Sequence, residues 1–377
     1  MTSSTETLPY PRFSGAEMAR RRNALAAELE AAGAAHALLY GSNRAGPAVG
    51  WLTRWPVTRE ALCVFTPGER DLLLVNFYNH VPNAERIATE AEVRWAGQKP
   101  MATASEELER RGAGGARVGV IGPLGYRPYA ALADFAEPVP LDEAYTRLRL
   151  RKSAEELDWL RVGCEFTDAA VRAVHEQAGP GTDERELGNL AERAYAGRGG
   201  TTHIHYFGAP VPAQWPAARA LERGDVLSCE ISASWWDYTG QLLRTFTVAD
   251  DPPPLYRELH DVADAAFDAL FERVRPGATT AELVEASAVI GDAGFTTRDD
   301  LVHGFVGGYL PPVLGDKTRM LEDVPDFTLE DGMTVVIQPN VVTRDESAGV
   351  QTGELVAVTA DGAERLHDCE RGLLRIG

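Results

Sequence analysis

The chain has 377 residues, with 37 basic and 56 acidic side chains and a formal net charge of −19. At roughly 150 residues per domain that length suits two domains or one large one, and 44% apolar with 25% charged residues is ordinary for a globular protein. The acidic excess disfavours nonspecific binding to nucleic acid or to an anionic membrane, because both repel it.

Residues 1–11 are polar, with neither a basic start nor an apolar stretch, so no secretory signal is read there. No apolar run approaches the ~18 residues that span a bilayer. Met18, Leu25 and Leu29 recur at near-helical spacing and predict a helix over 16–32. Strands are predicted at 36–40 (HALLY), at 61–66 and 72–77 on either side of the Pro67-Gly68 turn, and at 117–121. Helical stretches alternate with these strands, which predicts an α/β N-terminal domain over 1–146. The Gly119-x-x-Gly122-x-x-Gly125 spacing lacks the dinucleotide-binding form and reads as a turn. There is no phosphate-binding lysine loop and no nucleophile elbow.

The pattern changes at Ser153-Ala-Glu-Glu156, a capping box with a hydroxyl at the N-cap and a carboxylate three positions on. It predicts a long amphipathic helix with Leu157, Leu160, Cys164, Ala169 and Val171 near its buried stripe, opening a second domain over 147–377. Further helices are expected at 183–196 and 255–274, and strands at 226–233, 242–248, 334–337 and 355–359, an α+β pattern. Cys63, Cys164, Cys229 and Cys369 lie far apart with no CxxC pair, which reads as structural thiols in a reducing cytoplasm.

Four segments carry the chemistry. One runs from Gly224-Asp225 through Glu230 to Gln241, Arg244 and Thr245; the second is His303-Gly304 with Gly307-Gly308; the third is Asp331-Gly-Met333 ending in Gln338-Pro339; the last is Gly349-Val-Gln351-Thr-Gly353-Glu354 with Val358-Thr359. In order and spacing they resemble the pita-bread family of creatinase, aminopeptidase P, prolidase and methionine aminopeptidase. The resemblance spans nearly the whole chain and implies a creatinase-type N-terminal domain, a pita-bread catalytic-type domain and a homodimer. It also implies where the peptidases' two divalent metals would sit. Their Asp, Asp, His, Glu and Glu ligands fall here on Glu230, Gln241, His303, Gln338 and Gly353, with Glu354 one residue further on.

Two divalent ions ~3.5–4 Å apart need anionic bridges. Here Glu230 supplies one carboxylate and Glu354 at most a second, while an amide is a poor bridge. The expectation is therefore a site without metal or other cofactor, with a native ion pair, or a single ion on Glu230, His303 and Glu354, as the less favoured readings. The resemblance places a substrate-facing histidine upstream of Gly224, and strand alternation would put His203 and His205 on one face. The creatinase carboxylate positions fall on Leu243 and Gln338, so creatine is not expected as substrate. Trp235, Trp236 and Tyr238 lie in the turn between the site strands, as packing or as a wall of the pocket.

The favoured expectation is a metal-independent enzyme that hydrolyses or eliminates at a C–N or amide-like bond of a small polar molecule. His303, Glu230 and His205 would be catalytic; Gln241, Gln338, His203, Arg244, Glu354 and Tyr238 would hold the substrate. The alternatives are a metal-dependent Xaa-Pro dipeptidase or aminopeptidase P-like peptidase, and a non-catalytic binder of small molecules or peptides.

Overall fold

The computed structural model describes residues 10–43, 47–319 and 324–377; residues 1–9 of the polar N-terminal stretch lie outside the described residues. The chain divides into two compact units, Met1–Arg149 and Leu150–Gly377.

The first unit is an α/β layer. Its strands are β1 (His36–Ser42), β2 (Glu60–Phe65), β3 (Leu72–Val75), β4 (Glu92–Trp95), β5 (Arg117–Ile121) and β6 (Glu137–Pro140), and its helices α1 (Gly15–Ala31), α2 (Ala48–Thr53), α3 (Val81–Ile87), α4 (Pro100–Arg110), α5 (Tyr126–Ala133) and α6 (Asp142–Leu150). The sheet order is β4-β3-β2-β1-β5-β6. The β1–β2 pair is antiparallel across a connection that carries α2, and β2–β3 is antiparallel across a short turn; β5 and β6, reached through helices, pair in parallel. Leu38, Leu62, Val64, Leu72, Leu74, Val118 and Val120 of the strands bury against Leu108 of α4 and Leu132 of α5. The Ser14 hydroxyl caps α1 by accepting the Glu17 N–H at 3.1 Å.

The second unit carries α7 (Ala154–Gln177), α8 (Glu184–Tyr195), α9 (Pro254–Arg273), α10 (Thr280–Ala286) and α11 (Ala288–Asp292). The capping box of α7 is formed: Ser153 Oγ accepts the Glu156 N–H at 3.2 Å and the Glu156 carboxylate accepts the Ser153 N–H at 3.0 Å. Its strands are β7 (Thr201–Gly208), β8 (Val226–Trp235), β9 (Tyr238–Thr239), β10 (Leu242–Val248), β11 (Thr296–Thr297), β12 (Val302–Phe305), β13 (Tyr309–Leu314), β14 (Thr334–Ile337), β15 (Asn340–Val342), β16 (Gly349–Gln351), β17 (Gly353–Thr359), β18 (Gly362–Arg365) and β19 (Leu373–Ile376). The main sheet runs β13-β12-β14-β17-β10-β8-β7, with β9, β18 and β19 added to it, and β11, β15 and β16 form a small sheet. Alternation along β8 sets its two faces. Leu227, Cys229, Ile231 and Ala233 join the core with Phe166, Val171 and Val174 of α7 and Leu187 and Leu190 of α8. Ser228, Glu230, Ser232 and Ser234 occupy the other face and are also buried. All four cysteines are buried and unpaired, as structural thiols would be.

Candidate active site

The polar face of β8 is one wall of a buried cluster. Glu230 pairs across the sheet with Leu243 of β10, and Leu243 pairs in turn with Gly353 of β17. His303 of β12 pairs with Val336 of β14, two residues before Gln338. Strand alternation turns all of these toward one face. There the Gln241 amide donates to Glu230 at 3.1 Å and to Gln338 Oε1 at 3.2 Å. His303 Nε2 lies 3.3 Å from the same Gln338 oxygen, and Gln338 Nε2 donates to Asp300 Oδ1 at 3.1 Å. Tyr309 donates to Asp300 Oδ1 at 3.2 Å and stacks on the His303 ring at a centroid distance of 4.1 Å. The result is an acid–amide–amide–acid chain, Glu230–Gln241–Gln338–Asp300, with an imidazole at its centre. Glu230, Gln241, His303 and Gln338 are all buried, whereas Tyr309 is half exposed and marks the open side.

Burial controls the charge of this cluster. It pushes Glu230 up to about 8, with the Asp299 carboxylate adding to the effect. It pushes Asp300 up to about 8 as well, reinforced by hydrogen bonding and charge from Asp299. It lowers His303 to about 4. At neutral pH the cluster therefore holds protonated carboxyls and a neutral imidazole. The proton held by Glu230 in the native state is released on unfolding once the pH exceeds the ordinary carboxylate value. Its contribution to stability is present in full below about pH 4.5 and falls away as pH rises to about 8. Glu230→Gln is expected to lose less stability across that window than the parent. In denaturant titrations of ion-free protein the variant should gain, at the alkaline end, on the order of 3 kcal/mol relative to the parent.

Several residues expected at the site lie elsewhere. A bulge in the β7–β8 pairing falls between Thr202 and Ile204, so His203 and His205 do not share a face by simple alternation. His205 pairs with Ile231, on the core side, where its Nε2 lies 3.2 Å from the Tyr195 hydroxyl. His203 sits nearer, its ring 5.7 Å from that of Phe305, which in turn lies 5.4 Å from His303. Arg244 and Glu354 form a fully buried ion pair at 3.0 Å on the reverse face of the sheet, so neither is a substrate-binding group. Tyr238 donates to Glu156 at 2.9 Å and packs on Trp159 of α7, a structural role.

The sequence reading missed Asp300 and Tyr309. The available signals were the Asp299-Asp300 pair three residues ahead of His303 and the aromatic residue directly after Gly307-Gly308. It also missed Ser228 and Ser232, whose hydroxyls are buried on the Glu230 face without a hydrogen-bond partner among the described residues.

The model of Metallopeptidase family M24 matches residues 158–360, just over half of the chain and a stretch that encloses the whole cluster. The chain belongs to metallopeptidase family M24. Among curated relatives, the Xaa-Pro dipeptidase of Pyrococcus furiosus is 26% identical over 267 residues, 68% of this chain and 75% of its own length. Among solved structures, an Xaa-Pro dipeptidase from Bacillus anthracis superposes with a TM-score of 0.81 at 20% identity, over 95% of this chain and 100% of the other. A dipeptidase PepE from Mycobacterium ulcerans does so with a TM-score of 0.79 at 23% identity, over 97% and 100%. The pita-bread architecture expected from the sequence is thereby established.

The same comparisons overturn the favoured functional expectation. A metal-independent enzyme working at some other C–N or amide-like bond is not what this family and these relatives indicate. Both are described as peptidases, and the family as metallopeptidases. The expectation of a metal-independent site is withdrawn with it.

The family's ion pair nonetheless does not fit the residues present. Gln241 and Gln338 are already bonded to each other and to the flanking acids. Glu354 is held by Arg244 and Arg365. At Gly353 even a Cβ would overlap the Ile337 carbonyl oxygen and lie 2.8 Å from Gln338 Cα, so no carboxylate-bearing side chain is accommodated there. Among the described residues no three His, Cys, Asp or Glu side chains converge as a ready metal site. Also among them, no helix is long and apolar enough to cross a membrane.

Proposed function

We propose that the chain is a short-peptide hydrolase of the Xaa-Pro dipeptidase type, with the peptide held at the His303–Glu230 cluster. The observation that carries this reading is the family match over residues 158–360, which encloses Glu230, Gln241, His303 and Gln338. The Xaa-Pro dipeptidases among the relatives support the substrate class.

The cluster suits a neutral peptide bond. Gln241 and Gln338 offer amide donors and acceptors that can fix the peptide group in one orientation. Glu230, kept protonated by burial, holds a proton beside the place where a peptide carbonyl or departing nitrogen would lie. His303 is fixed by the Tyr309 stack and by its contact with Gln338. A proline ring would find an apolar partner in Phe305, which lies against both His203 and His303. The reading carries with it the expectations of a homodimer and a cytoplasmic location; light scattering of the purified protein reads the first.

The test is hydrolysis of Xaa-Pro dipeptides against the same dipeptides with alanine in place of proline. It should be run both in chelator and with added divalent ions. Preferential cleavage of the proline substrates is expected. His303→Ala should lower kcat/KM by about 100-fold or more. Saturable dipeptide binding without turnover in either buffer would overturn the reading and leave a non-catalytic peptide binder.

A further inference from the structure

The first unit contains a cationic cavity that the peptide-hydrolase reading does not use. It has a volume of about 100 Å³, and Arg12, Arg22, Arg54, Thr53, Leu52 and Ile87 are among its lining residues. Arg54 is unusual in two independent ways. It caps the C-terminus of α2 with φ 63°, in the left-handed region that an arginine enters only with strain and a glycine enters freely. Its Nε and Nη2 groups are also buried with no hydrogen-bond partner among the described residues. Arg22 adds a third donor, its Nη2, likewise without a partner among the described residues. The remaining Arg22 nitrogens are engaged, Nε with Asp71 at 2.7 Å and Nη1 with Glu90 at 3.1 Å.

The contrast with the fully buried Arg21 and Arg244 is informative. Arg21 is bonded to Glu17 at 2.6 Å and to the Trp51 carbonyl at 2.8 Å. Arg244 uses every donor it has. Buried guanidinium nitrogens left idle are costly, and strain at the same residue adds to the cost. The lining holds three arginines against one acid, Glu90, within a chain that is acidic overall. Burial and the charges of Arg12 and Arg21 lower Arg54 to about 10, so it remains cationic at neutral pH.

We propose that this cavity binds a small oxoanion, a carboxylate or phosphate group, clamped by the free donors of Arg54 and Arg22. The apolar flank of Leu52 and Ile87 leaves room for a short organic stub on the anion.

The test is calorimetric titration and thermal unfolding of the full chain with inorganic phosphate and, separately, with butyrate. Chloride at equal ionic strength serves as control. Saturable one-to-one binding of either probe supports the site, and the tighter of the two names its source. Arg54→Gly should weaken that binding about 10-fold or more. In anion-free buffer the same variant should be at least as stable as the parent, because it relieves both the strain and the idle charge. Dipeptide hydrolysis should not change. A merely structural Arg54 would show the reverse pattern, with the glycine variant less stable and its anion response unaltered. Absence of any probe response in the parent overturns the proposal. So does loss of a dimer in Arg54→Gly without probe binding, which would mark Arg54 as an interface residue.

Discussion

The Gln241→Asp, Gln338→Glu double variant is expected to bind divalent ions on the order of 100-fold more tightly than the parent. The parent, loaded with Mn²⁺ and dialysed, should not retain a full pair of ions. The reason is the charge that surrounds the site. Two divalent ions need bridging anions, yet the parent offers uncharged amides at 241 and 338. Adding two carboxylates supplies the missing charge and the missing lone pairs. In ion-free buffer the same change should destabilise the fold, because it places more acids beside Glu230 and Asp300. Added ions should then restore stability by mass action. Gly353→Glu, which would complete the family's ligand set on paper, should instead disrupt the β14–β17 connection, because a Cβ there meets Ile337 and Gln338. Elemental analysis with calorimetric ion titration reads the parent and both variants. A parent chain that already retains two ions would defeat the donor-set argument.

How legible the site was depended on what kind of signal each residue left. Where alternation or capping sets the structure locally, the sequence was enough. The strands at 117–121, 242–248 and 334–337 form over those same residues, and the Ser153–Glu156 box opens α7. Glu230, Gln241, His303 and Gln338 were picked out because their spacing along the chain matches a family pattern, and in the fold they meet. His205 failed because one extra residue in β7 breaks the period-two rule, and a bulge leaves no clear mark in composition. Glu354 and Arg244 failed for a different reason. Charged residues beside a site motif look functional in one dimension, but adjacent strand positions face opposite sides of the sheet. Gly353 faces the cluster, and Glu354 therefore faces the core. Asp300 joins the cluster from the turn ahead of β12, through contacts with Gln338 and Tyr309 that no periodic pattern encodes. The metal question shows a further limit. The residues argue about which ions can be held, and that argument alone did not decide which bond the protein acts on.

The largest stability effect is expected on the reverse face, at Arg244. Its side chain is fully buried, and all five of its N–H directions are used. Nε donates to the Glu370 carbonyl at 2.8 Å, Nη1 to Leu243 O at 2.9 Å and Gly353 O at 2.8 Å, and Nη2 to Glu354 at 3.0 Å and Cys369 O at 3.0 Å. One guanidinium thus ties β10 and β17 to the segment around Cys369. Burial works to raise the Glu354 carboxyl, but Arg365 and Arg244 outweigh it and hold that carboxyl below its ordinary value. Arg244→Leu would leave Glu354 with the partly exposed Arg365 and the charge of His367, and strip four carbonyls of a donor. Loss of one partner from a buried pair costs about 3–5 kcal/mol, and chemical denaturation should show a loss of that size. Because Gly353 and Leu243 lie in the row that carries Glu230, the same variant should also weaken dipeptide hydrolysis without touching the substrate. Arg244→Leu combined with Glu354→Leu separates the two contributions. If the penalty comes from a stranded charge, the second substitution should recover much of the lost stability. If it comes from the four carbonyls, the double variant should be no better than the single one. A single variant as stable as the parent would mean that Arg244 does not hold the strands together.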